Sequence, residues 1–120
     1  MSDPLVHFEI AGRDGEALEQ FYSNLFQWRI ERQNPGGHAY GRIDSEQVGG
    51  ISGGIRHEPE GKAEIVLYIG VEDVEAAVKK VEQLGGAVRI PPLKTPEAYF
   101  ALIQDPEGNP IGLVQRESQA

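Results

Sequence analysis

VHFEIAGRDGEALEQFYSNLFQW, residues 6–28, returns in altered form as IVLYIGVEDVEAAVKKVEQLGGAV, residues 65–88. Each copy reads as a strand, an Asp-led turn and an amphipathic helix. In the first, Asp14 precedes a helix whose apolar residues Leu18, Phe21, Tyr22 and Leu25 fall at i, i+3, i+4 and i+7. In the second, Asp73 precedes Val74, Ala77, Val78, Val81 and Leu84. Aspartate suits the N-cap because its carboxylate accepts orphan backbone N–H groups at the positive end of the helix dipole. Asp14 and Asp73 stand 59 residues apart, as do Leu25 and Leu84, and that spacing is half the chain. Internal duplication is the expectation.

A chain of 120 residues supports one domain of ordinary size, so the two copies are expected to be halves of one fold. Fifteen glycines and eight prolines among 39% hydrophobic and 25% charged residues imply many turns and many short strands. Lys and Arg number 11 against 19 Asp and Glu, a formal charge of -8, and no basic run forms a patch. Nucleic acid and anionic membrane are therefore not expected as partners; the acidic balance reads first as a source of solubility, although it would also help attract a cationic ligand. The absence of cysteine removes disulfides, thiolate metal sites and cysteine nucleophiles. MSDPLVHFEI lacks the basic and apolar regions of a signal peptide, and no apolar run reaches membrane-spanning length, so a cytoplasmic location is expected.

Residues 5–11 alternate, with Val6, Phe8 and Ile10 on one face and His7 and Glu9 on the other. After the first helix, Trp28–Arg32 reads as a strand and Asn34-Pro35-Gly36-Gly37 as a turn. A third strand, His38–Ile43, is followed by a turn at residues 44–47 and a fourth strand, Val48–Ile55, that contains GGISGG. His57–Gly61 reads as a polar hinge. Beyond it come a strand at Glu64–Val71, the second helix closed by Gly85-Gly86, a strand at Ala87–Ile90, a loop at Leu93–Glu97, and a hairpin of Tyr99–Gln104 with Pro110–Gln115. Both halves thus have the order βαβββ.

In this order and spacing, four pieces resemble the vicinal oxygen chelate superfamily, which includes glyoxalase I, bleomycin-resistance proteins and extradiol dioxygenases. They are His7-Phe8-Glu9-Ile10, the helix end Phe21-Tyr22 with Leu25-Phe26 and Trp28, Val71-Glu72-Asp73-Val74 with Gly85-Gly86, and Gln104-Asp105-Pro106-Glu107-Gly108-Asn109. The resemblance covers nearly the whole chain. It implies an α+β fold in which two βαβββ modules, about residues 5–56 and 63–116, form a curved mixed sheet around a cleft with helices outside. It also implies a homodimer. Val6, Phe8 and Ile10 would lie under a helix, and so would Ile65, Leu67 and Ile69, leaving Val66 and Tyr68 to face the cleft. Gln27 departs from the family, which commonly has glycine there; a left-handed Gln27 would cost roughly 1–2 kcal/mol.

Enzymes of this family usually hold one divalent metal with side chains from the first and last strand of each module. His7 matches the first such position. Val66 takes the corresponding place in the second module and Gly112 that of the usual acidic residue, and neither has a donor atom. The remaining position falls within Gly49–Gly54, where the only side-chain donor is the Ser52 hydroxyl. One imidazole is far short of a divalent site such as two histidines and a carboxylate. No metal and no other cofactor is expected, and a divalent ion is the alternative.

His7 reads as a cleft histidine satisfied by a neighbour, or as a ligand contact or acid–base group with Glu9. Tyr40, Tyr68 and Tyr99 or Phe100 are candidates to line the cleft, and Phe100 is taken with the tyrosines. Arg42 shares the face of Tyr40 and would suit an anionic group. The candidate ligand-binding residues are therefore His7, Glu9, Tyr40, Arg42, Ser52, Tyr68 and Phe100. His38 and His57 read as solvated, and Phe21, Tyr22, Phe26 and Trp28 as core. Two functions follow: a metal-free protein of the bleomycin-resistance type that binds a small organic molecule, or a divalent-metal-dependent lyase, isomerase or dioxygenase of glyoxalase type. Whether a reaction is catalysed is left open by the residues.

Overall fold

A computed structural model describes residues 2–34 and 39–117. It has eight strands and three α-helices among these residues: β1 (Leu5–Gly12), α1 (Gly15–Phe26), β2 (Ile30–Gln33), β3 (Tyr40–Ile43), α2 (Ser45–Val48), β4 (Ser52–His57), β5 (Glu64–Val71), α3 (Val74–Val81), β6 (Ala87–Lys94), β7 (Tyr99–Gln104) and β8 (Pro110–Gln115). Two compact units result, one of residues 7–65 and one of residues 66–120 with the first six. The βαβββ order expected of each half is present, and the class is α+β.

In the first unit the strands run β2-β3-β4-β1, with β1 parallel to β4 and the other pairs antiparallel. One face carries Ile10, Ile43 and Ile55, packed with Phe8, Leu18, Tyr22, Trp28 and Ile30 under α1. Alternation then sends His7 and Glu9 of β1 and Ser52 and Arg56 of β4 to the opposite face. Asp14 caps α1 by accepting from Ala17 N at 3.0 Å. Gln27 ends it in the left-handed region at φ 61°, as its position in the family pattern leads one to expect.

The second unit repeats the plan as β5-β8-β7-β6, with β5 parallel to β8. Val71, Val74, Ala101 and Leu113 form its core with Ile69, Ala77 and Val78. Asp73 accepts from Ala76 N at 3.1 Å, and Gly85 closes the helical segment at φ 94° after a 3-10 turn, Glu82–Leu84.

Several boundaries differ from expectation. Gly49 and Gly50 have φ of 87° and 141°, values that a strand does not take, so Val48–Ile51 is a helix end and a loop, and β4 begins at Ser52. Residues 45–48 form a short helix rather than a plain turn. β6 continues through Pro91-Pro92 to Lys94, with register shifts against β7 between Val88 and Ile90 and between Ile90 and Leu93. Irregular pairing and an outer position in the order tolerate the missing proline N–H groups. Of the residues expected under the second helix, Ile69 is packed there, but Ile65 is 59% exposed and Leu67 is also exposed, while Val66 is fully buried. The eight residues of α3 span only about 12 Å against about 26 Å for an eight-residue strand, and α3 lies on β6, β7 and β8. The expected turn at residues 34–37 and His38 fall largely outside the described residues.

Candidate functional site

The face of the first unit opposite α1 gathers the polar residues that alternation placed there. His7 lies opposite Ser52 in the parallel pair, and its Nδ1 is 2.8 Å from Ser52 Oγ. Its Nε2 is 3.0 Å from the Tyr40 hydroxyl, which donates to Glu9 Oε2 at 3.1 Å. Arg56 donates to Glu9 Oε1 at 2.8 Å and to Glu64 at 3.1 Å. A continuous polar chain thus runs Ser52, His7, Tyr40, Glu9, Arg56, Glu64.

Gly54 makes this chain possible. It pairs with Glu9 on one side and Arg42 on the other, and a Cβ there would overlap the Tyr40 ring. The missing side chain lets the ring lie across β4 and bring its hydroxyl between His7 and Glu9. Burial lowers the His7 pKa below the ordinary histidine value; the Arg42 charge acts in the same direction and the Glu9 charge against it. The imidazole is therefore held toward its neutral form.

Arg42 occupies the same face by register, but its guanidinium pairs with Asp44 at 3.3 Å and is about half exposed. It acts on His7 through charge. Arg56 and Glu64, which complete the chain, were not among the sequence candidates. The signal was present: Arg56 stands four residues after Ser52 and so shares its face, but a strand ended at Ile55 left it out. His57 was expected to be solvated and is not. It is half-buried at the end of β4, with its ring against Gly15 and its Nε2 2.6 Å from Glu19, which also binds Arg32 at 2.9 Å. Alternation places it on the α1 side, next to Ile55.

In the second unit Tyr68 pairs with Gly112, and a Cβ at Gly112 would overlap the Tyr68 ring. Phe100 pairs with Val114 two residues along β8 from Gly112, so Tyr68 and Phe100 share the face opposite α3. Tyr99 has the other orientation, donating to Glu75 at α3 with Lys94 over its ring. An open depression beside it, lined in part by Glu75, Lys79 and Gln115, lies on the helix side of this sheet.

The two units are equivalent in one further respect. Strand pairing makes Gly54, opposite Glu9, the counterpart of Gly112, opposite Tyr68. In each unit a tyrosine ring fills the space that a side chain at that glycine would need.

The glyoxalase-like domain model matches residues 7–114. The chain belongs to that family, within the vicinal oxygen chelate superfamily. Two relatives carry the name "Putative glyoxylase CFP32", from Mycobacterium bovis and Mycobacterium tuberculosis; each is 37% identical over 109 residues, or 85% of this chain. The chain spans 41% of the length of these relatives. Solved structures at lower identity share the fold. Protein BH1468 of Bacillus halodurans superposes with a TM-score of 0.74 at 16% identity, covering 100% of this chain and 99% of that one. A methylmalonyl-CoA epimerase of Streptomyces coelicolor, in complex with 2-nitronate-propionyl-CoA, gives 0.68 at 16% identity, covering 96% and 95%.

Among the described residues the family's divalent metal finds no matching donor set. Both ring nitrogens of His7 are engaged by Ser52 and Tyr40. Gly54 and Gly112 offer no side-chain atom, and tyrosine rings fill the space beside them. Among the described residues no three His, Asp or Glu side chains gather where they would hold a metal ion. No helix among them is long and apolar enough to cross a membrane.

Proposed function

We propose that this glyoxalase-like chain binds a small organic molecule on the face formed by His7, Ser52, Tyr40 and Glu9, and that it does so without a catalytic metal. The supporting observation is the Ser52–His7–Tyr40–Glu9 chain itself, in which the one retained family ligand position is built into a protein hydrogen-bond network. Arg42 shares that face by register and stands beside Asp44. A tyrosine ring with a few fixed polar groups suits a small-molecule site.

Metal content of the purified chain tests the reading, followed by thermal unfolding of stripped protein with Ni, Zn, Fe(II), Mn or Mg added. A metal that binds only the native state raises the midpoint by mass action. The expected result is no stoichiometric metal and no shift. A shift that His7→Ala abolishes would overturn the reading. It would favour the second one, a divalent-metal-dependent lyase, isomerase or dioxygenase of glyoxalase type.

A homodimer is part of the same proposal. Phe21, Leu25 and Phe26 leave half or more of their surface exposed along α1, and a second copy would cover such apolar area. Light scattering at several concentrations checks it; a monomer at all of them would remove it.

A further inference from the structure

We propose that the hydrogen bonds on the His7 face run in one direction and leave Ser52 as a pure acceptor, so that the site takes a neutral or cationic ligand presenting an O–H or N–H group to Ser52 Oγ. The proposal rests on the binding reading above and goes further by naming the ligand's chemistry.

The direction follows from counting hydrogens along the chain. Glu9 sits 2.8 Å from the Arg56 guanidinium, and an ionised carboxylate only accepts. Tyr40 has one hydroxyl hydrogen and gives it to Glu9 Oε2. Its oxygen can then only accept, so the His7 nitrogen 3.0 Å away must carry the hydrogen, which makes His7 the Nε2–H tautomer. Burial keeps the ring neutral, with Arg42 on β3 adding to that effect and Glu9 on β1 opposing it. Nδ1 is then a bare lone pair. Ser52, 2.8 Å from it, must donate its single hydrogen inward.

What remains on Ser52 is acceptor capacity. A ligand hydroxyl, amide N–H or ammonium complements it, whereas a carbonyl or carboxylate would set lone pairs against lone pairs. Local charge acts the same way. Arg56 is shared among Glu9, Glu58 and Glu64, each within 3.1 Å, so three carboxylates surround one guanidinium. Arg42 on the same face is offset by Asp44 at 3.3 Å, so an anionic ligand is disfavoured on both counts.

Two measurements on the full chain test this. Long-range proton–nitrogen spectra of 15N-histidine-labelled protein, recorded above the ordinary histidine pKa, should show His7 protonated at Nε2 and bare at Nδ1. Protonation at Nδ1 would overturn the proposal. Tyr40→Phe, which removes the acceptor at Nε2, should convert that single tautomer into a mixture. The second measurement titrates benzyl alcohol, benzamide and benzylammonium against acetophenone and benzoate, followed by amide shifts at Ser52. The donor-bearing probes should bind about tenfold or more tightly, the scale of one unmatched polar group, and Ser52→Ala should abolish the difference. Equal or tighter binding of acetophenone or benzoate, or a preference that survives Ser52→Ala, would overturn the donor requirement and leave the binding site standing. Failure of every probe to bind would remove the binding reading together with this proposal.

Discussion

A single absent side chain at Gly54 decides where the Tyr40 hydroxyl sits, because any Cβ would meet the ring. Gly54→Ala should therefore destabilise the protein by about 1–3 kcal/mol, the usual cost of overpacking, as measured by urea unfolding. In a Tyr40→Ala background the same change should cost much less, with a coupling of about 0.5–3 kcal/mol between the two sites; strict additivity would show that the ring does not set the requirement. Gln27 offers a change of opposite sign. It holds φ 61°, a region glycine enters without steric cost, so Gln27→Gly should stabilise by about 1 kcal/mol in the same assay. At this scale the sequence was readable for His7 with Glu9 on β1 and for Tyr40 with Arg42 on β3, since period-2 alternation puts each pair on one face of its strand; that Ser52 joins them depended on strand register. It was not readable for Arg56, whose place depended on a strand end that no turn signal marked, nor for the tyrosine rings over Gly54 and Gly112, which depend on pairing between distant strands.

Helix ends were the most legible elements. Asp14 and Asp73 both accept from the backbone N–H three residues on, as their position before an apolar stripe implies. Asp73→Ala should lower stability by about 1 kcal/mol and Asp14→Ala by a similar amount, while Asp73→Asn or Asp73→Ser should restore most of it; a loss that Asn does not repair would mean that the charge, rather than the acceptor, matters. Strand ends were less legible. The GGISGG segment looked like strand because apolar residues flank it, yet positive φ at Gly49 and Gly50 moved the start of β4 to Ser52. Pro91-Pro92 looked like a strand end, yet β6 passes through them, because its ladder is already irregular there and a missing donor costs little. Local propensity marks the middle of an element better than its boundary when the partner strand settles which hydrogen bonds are made.

For the molecule as a whole, three shifted groups make stability rise with pH. His7 is lowered by burial, so its contribution is present above the ordinary histidine value near 6.5 and is lost as pH falls from there toward the lower folded value. For Glu19, burial would raise the pKa, but hydrogen bonds from Arg32 and His57 outweigh it and lower the value. Asp105 is lowered by hydrogen bonds from the Asn109 side chain and backbone, with Glu107 N adding another. Both carboxylates contribute above their unfolded values near 4 and lose that contribution as pH falls through the folded ones. Unfolding midpoints should therefore decline in two stages on acidification, and His7→Gln should flatten only the stage just below about pH 6.5; an unchanged curve in that variant would show that His7 does not titrate differently on folding. By itself the sequence determined the βαβββ repeat, the helix caps and the family, because these follow from local periodicity and from motifs of contiguous residues; the core stripes were only partly right, since Phe21, Leu25, Phe26, Ile65, Leu67 and Leu84 are exposed. Only the tertiary structure decided which residues meet on the polar face, that His7 has both nitrogens engaged, and that tyrosines fill the space beside Gly54 and Gly112. Those contacts join residues on different strands, from 14 residues apart for Tyr40 and Gly54 to 45 for His7 and Ser52, and their geometry is set by strand register and by packing space, neither of which is carried by any one stretch of the chain.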